Sequence, residues 1–255
     1  MRNFKLILQY EGTRYQGWQR QESTDNTIQG KLEALLTKMT GQKVEIQGSG
    51  RTDAGVHALG QVANFHADTE MEPQEILEYM NRYLPEDIGV IEVREVSERF
   101  HSRLNAKGKT YCYRVICSTL PDVFDRRFAH ILTETVDIQA MRRASEYLLG
   151  THDFKAFTSN KRGKKSTVRT IEEIRIEKAV STSMCMQGAA DEILFTFRGN
   201  GFLYHMVRII TGTLLEVGTN KRRPEEIKDI LASGSRENAG ELVPARGLAL
   251  MEVRY

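Results

Sequence analysis

Apolar and polar residues alternate from the start of the chain: Phe4, Leu6, Leu8 and Tyr10 share one face of a strand over 4–10. The period then lengthens. Ile28, Leu32, Leu35 and Met39 recur at helical spacing behind the capping candidates Asn26 and Thr27, which predicts a helix over about 27–40. Short strands are expected at 44–47 and 61–66. Pro73 opens a helix through Ile76, Leu77 and Met80, and 88–96 is a β-rich run, so the first half reads β-α-β-β-α-β.

The second half repeats that order. A strand at 110–116 is followed by a helix through Ile138, Met141, Ser145 and Leu148 that ends at Gly150. Strands at 168–176 and 193–198 precede a helix over 202–217, a shorter helix opened by Pro224, and a closing strand at 248–253. Two such units are two ferredoxin-like halves, an α+β fold. Their strands can join into one extended antiparallel sheet, with helices on one face and the other face left as a cleft for a ligand. The expected halves are 1–104 and 105–255, joined by the basic stretch 100–109.

Composition narrows the class. Of 255 residues, 40% are hydrophobic and 27% charged, as in an ordinary globular protein. No apolar run is long enough for a membrane span. The first residues enter the strand pattern directly, unlike a signal peptide. Cys112, Cys117 and Cys185 lack CxxC spacing, so neither a disulfide framework nor a zinc site is indicated, and a cytoplasmic location is expected. The net charge of +2 predicts no partner by itself. Its distribution says more: Arg99, Arg103, Lys107, Lys109 and Arg114 form one run without an acid. Lys155, Lys161, Arg162, Lys164, Lys165 and Arg169 form another. Segregated cations suggest a stripe facing a polyanion, although a solvated lysine loop would also account for 161–165.

The segment 48–58, GSGRTDAGVHA, carries the strongest chemical signal. Its glycines let the backbone turn sharply and approach a ligand. Asp53 lies in the middle, flanked by Arg51 and His57, as a nucleophile or base facing an anionic substrate would. An Asx-type turn would use the same residues. The glycine run lacks the Lys-Ser/Thr of a Walker phosphate loop. Over 202–215, Arg208 is the one formally charged residue in an otherwise apolar helix. A buried guanidinium needs an anionic partner. Asp53 is the natural one, and pairing would keep its carboxylate ionised and oriented; an arginine snorkelling from the helix end would need no such partner. Tyr111 and Tyr113 share one strand face, as sheet-packing residues do, yet beside the cationic run one of them is a candidate for stacking on a nucleobase. Asp153 rivals Asp53, but it follows a helix ended by Gly150, where turn or cap duty is expected.

Together these motifs resemble the tRNA pseudouridine synthase A family over essentially the whole chain. The likeness rests on YEGTRYQGWQRQ at 10–21, GRTDAGVHA at 50–58, FHSR at 100–103, the strand around Tyr111, KSTVR at 165–169, 202–208, and Gly247-Leu248. Two departures are local: 127–130 lacks the tryptophan often found there, and Leu104 and Asn105 replace more usual residues. The resemblance implies isomerisation of uridine to pseudouridine in the tRNA anticodon stem-loop, at positions 38 to 40, with no metal or organic cofactor. It also implies a homodimer with tRNA across both subunits. The family's catalytic aspartate falls on Asp53, its base-contacting tyrosine on Tyr111, and its aspartate-pairing arginine on Arg208. Arg14, Arg20, Arg103 and Lys109 are then expected to bind substrate, and Arg51 or His57 to stabilise the extruded nucleotide. The alternative is a noncatalytic RNA-binding module on the same scaffold. RNA methylation is disfavoured, because no glycine-rich cofactor loop joins a strand to a helix.

Overall fold

The computed structural model describes residues 1–160, 166–180 and 191–255. The cations at 161–165 and Cys185 therefore lie outside the described residues. The protein is α+β and divides into two compact units, Met1–Lys107 with Ala249–Tyr255, and Gly108–Leu248. No helix among the described residues is long and apolar enough to cross a membrane.

The first unit contains β1 (Arg2–Tyr10), α1 (Ile28–Thr40), β2 (Ile46–Gly48), β3 (His57–Ala67), α2 (Pro73–Tyr83) and β4 (Ile88–Val96). This is the expected β-α-β-β-α-β order. Strand β1 lies between β4 and β3, antiparallel to both. Its apolar set Phe4, Leu6, Leu8 and Tyr10 is buried, and Phe4 stacks on Phe65 of β3 at 5.4 Å. Helix α2 packs on β4, and α1 packs beside α2 and β2. The Thr27 side chain caps α1 by accepting from Gly30 N at 3.1 Å.

Strand β3 is long, and that length has a topological consequence. Three-residue β2 covers only Ala63–Phe65 of one edge. The same edge pairs at His57 and Ala58, in parallel, with Ala249 and Leu250 of a last strand, Leu248–Arg254. That strand is β10 in the numbering below. Ser102 pins the 100–105 turn to this unit: its N–H donates to Asn64 Oδ1 at 2.9 Å, its hydroxyl donates to Gln47 O, and its carbonyl accepts from Tyr255.

The second unit contains β5 (Gly108–Cys117), β6 (His130–Leu132), α3 (Ile138–Glu146), β7 (Gly150–Asp153), β8 (Val168–Val180), β9 (Asp191–Gly199), α4 (Met206–Gly218) and α5 (Glu226–Ser233); β10 follows in the chain and, from Ala249 on, belongs to the first unit. Strand β9 pairs antiparallel with β5 and β8, and β8 pairs with β7. Strand β6 joins β5 in parallel, reached through the connection 118–129, long enough for the crossover a parallel pair requires. The sheet arrangement is thus mixed, mostly antiparallel. Tyr113, Phe195, Phe197, Ile176, Met141, Ile210 and Leu214 are buried in this unit.

Helix α4 begins four residues later than its apolar run suggests. His205 has φ 65°, a left-handed conformation that cannot continue a helix backwards, so 202–205 is a loop leading into it.

Candidate active site

Residues 12–18 and 48–57 press backbone against backbone. A Cβ on Gly12 would sit inside the Val56 carbonyl, and one on Gly17 would lie 2.7 Å from Thr52 O. Gly17 also has φ 90°, open to glycine but strained for other residues. Trp18 N–H donates to Thr52 O at 3.0 Å, and Gly55 N–H donates to Tyr15 O at 3.4 Å. Gly12 N–H donates to His57 Nδ1 at 3.0 Å. The Asp53 turn is closed by its own backbone, Val56 N–H to Asp53 O at 3.1 Å.

Behind this turn lies a buried polar network that the sequence pattern does not reveal. Tyr10 and Thr52 hydroxyls are 2.8 Å apart. Gln61, fully buried on β3, donates to Gly50 O at 3.0 Å and to Tyr10 at 3.4 Å, and accepts from Ser49 Oγ at 2.7 Å. Burial pushes the Tyr10 phenol up to about 12, against the smaller opposing effect of its hydrogen bonds, so it is neutral at physiological pH. A glutamine where the strand alternation places an apolar residue was the available signal.

The sequence-predicted residues of this unit take distinct positions. Asp53 is half-buried, whereas Arg51 is exposed on the same loop. His57 is buried, its ring held by the Gly12 amide. Arg103 is exposed on the turn fixed by Ser102. Arg20 reaches Glu33 at 3.4 Å on the rim of a polar cleft of about 440 Å³. Arg14 lies against Asp87, its Nη2 donating to Oδ2 at 2.6 Å, while Tyr15 donates to Oδ1 at 2.5 Å. Burial opposes the Asp87 charge, but the hydrogen bonds from Tyr15 and Arg14 outweigh it and hold the carboxyl below its ordinary value.

In the second unit, Arg208 is 9% exposed and its Nε donates to Val243 O at 2.8 Å. Tyr113 is fully buried and donates to Pro244 O at 2.8 Å. The two side chains thereby hold adjacent carbonyls of one segment. Tyr111 meets Phe202 edge-on, ring centroids 5.3 Å apart. Both paired tyrosines are buried; Tyr113 reaches the 243–244 segment, and Tyr111 borders the loop entering α4. Lys109, half-buried, lies two residues earlier on β5. Asp153 is exposed and performs turn duty, accepting from Lys155 N at 3.0 Å and from Thr167 Oγ1 at 2.5 Å.

The model of the tRNA pseudouridine synthase family matches residues 6–105 and 144–255. Curated relatives named tRNA pseudouridine synthase A are similar over all of both chains. That from Bacillus sp. (strain KSM-64) is 46% identical and that from Acetivibrio thermocellus 44%. A relative from Clostridium tetani named tRNA pseudouridine synthase A 1 is 46% identical, again over the whole of both chains. The chain belongs to the tRNA pseudouridine synthase family, whose members are isomerases that convert uridine to pseudouridine in tRNA.

Two outcomes follow from the contacts of residues 12–18. Gly12→Ala forces the Val56 carbonyl away and costs about 1–3 kcal/mol in urea unfolding. Because the loop itself shifts, kcat falls by up to about 10²-fold while tRNA affinity is retained. The second outcome concerns Asp87, whose folded-state value lies below its unfolded one. Its contribution is present at neutral pH and fades as pH falls through the folded-state value, below about pH 4. Urea midpoints of the wild type and Asp87→Asn therefore differ at pH 7 and converge on acidification.

Proposed function

We propose that this protein isomerises uridines at positions 38 to 40 of the tRNA anticodon stem-loop, with Asp53 as its catalytic carboxylate. The observation that carries this reading is the fixed backbone around Asp53, in a chain of this family. The reaction breaks the bond from uracil N1 to ribose C1′, turns the base, and joins C5 to C1′. The C5 proton leaves and N1 regains one, so there is no redox change. Attack on the sugar, attack on the base and removal of a sugar proton all require one ionised carboxylate held within bonding reach of the nucleotide.

Arg208 is the guanidinium partner of Asp53 and orients it. Tyr111 holds the detached uracil by its ring face. A paired base must leave its stack at a cost of a few kcal/mol. Exposed Arg51 stabilises the extruded nucleotide, and buried His57 positions the loop instead. Arg14, Arg20, Arg103 and Lys109 bind the phosphate backbone. The enzyme works in the cytoplasm as a homodimer, with one tRNA across both subunits.

The test is Asp53→Ala with a uridine-labelled tRNA transcript. Nucleoside chromatography should show conversion reduced by at least about 10²-fold, with the tRNA Kd unchanged. Conversion at the wild-type rate would remove Asp53 from the chemistry.

A further inference from the structure

Outside the residues assigned above, the loop entering α4 carries a stacked aromatic pair of which Tyr204 is exposed and His205 half-buried. Tyr204 is 54% exposed, and its ring stacks on that of His205 with centroids 3.7 Å apart and planes 27° from parallel. Exposed aromatics of this size are ordinarily mobile, but here the backbone of Tyr204 and the ring of His205 are both tied down. Thr158 Oγ1 donates to Tyr204 O at 2.9 Å, and His205 Nδ1 lies 3.0 Å from Ser159 Oγ. His205 further holds φ 65°, an unfavourable conformation for a residue with a Cβ, retained where surrounding contacts enforce it.

The surroundings suit nucleic acid. Arg169 borders the same loop: its Nε lies 3.9 Å from the place a Cβ on Gly201 would take. Phe202, two residues before Tyr204, touches Tyr111. A pre-stacked ring pair on a loop bordered by a guanidinium offers a π-face to a base and a nearby charge to the phosphate backbone, the combination that binds unpaired nucleotides with little sequence preference.

We propose that Tyr204, backed by His205 and flanked by Arg169, is a stacking platform for an unpaired tRNA nucleobase other than the reacting uracil. The inference rests on the tRNA substrate of the proposed function but not on Asp53, because its readout is affinity rather than turnover. Stacking adds the bound base to an existing ring pair whose inner ring, His205, and whose Tyr204 backbone are already held. The aromatic ring is the required part, and the phenolic hydroxyl is dispensable.

The experiment measures Kd for an unmodified tRNA transcript, KM and kcat, thermal midpoint, and sedimentation of the full chain. The variants are Tyr204→Ala, Tyr204→Leu and Tyr204→Phe. Tyr204→Ala and Tyr204→Leu should each raise Kd and KM by about tenfold, with kcat and the thermal midpoint unchanged, and Tyr204→Phe should restore binding. An unchanged Kd in Tyr204→Ala overturns the proposal. So does a Tyr204→Phe variant as weak as Tyr204→Ala, or a Tyr204→Leu variant that binds like the wild type. A changed sedimentation coefficient with normal tRNA affinity assigns the ring to a protein contact and overturns it as well.

Discussion

The close approach of residues 12–18 to residues 52–56 is the constraint on which the candidate site depends. A carboxylate on a glycine-rich turn would ordinarily sample many positions, and ordering it would oppose catalysis. Here the second segment removes that freedom. Gly12 and Gly17 allow backbone contact that any side chain would block. The amides of Trp18 and Gly55 then join the two segments by hydrogen bonds, and the Gly12 amide joins them through the His57 ring. Tyr10, Gln61 and Ser49 fill the space behind with polar groups hydrogen-bonded among themselves and to Thr52. The backbone around Asp53 is consequently tied down by the fold itself.

The second unit secures its own arginine by the same logic. Helix α4 is buried nearly all round, and its polar groups are answered locally. Thr211 and Thr213 donate to carbonyls one turn back, while Gly240 N–H donates to Thr213 Oγ1 at 2.9 Å. The bond from Arg208 Nε to Val243 uses one of the five guanidinium donors and fixes the plane of the rest. Replacing a buried charge with an apolar residue is often the cheaper way to stabilise a helix, which is why Arg208 is assigned a functional role in the proposal above.

Much of this was legible in the chain. The strand period around Phe4 to Tyr10 and the helical period from Ile28 to Met39 give the elements found at β1 and α1. The motif around Asp53 identifies the turn because its glycines and acid are local features. Other features were not legible there. Strand β6 has three residues, too few to show alternation, and exposed β7 is held by polar pairing such as Thr151 with Thr170 at 2.8 Å. The parallel pairing of Ala249 and Leu250 with β3 depends on how much edge β2 leaves uncovered. The start of α4 depends on the backbone of His205, which hydrophobic periodicity does not report. The roles of Gly12, His57 and Gln61 likewise emerge only when distant segments meet.

Asp53 and Arg208 are required by this account to act as one unit, and a double-mutant cycle measures that directly. Single-turnover rates on saturating tRNA are compared for wild type, Asp53→Asn, Arg208→Gln and the double variant. The account predicts strong non-additivity, with the double variant no slower than Asp53→Asn alone. Losses that multiply, as for independent residues, would contradict it.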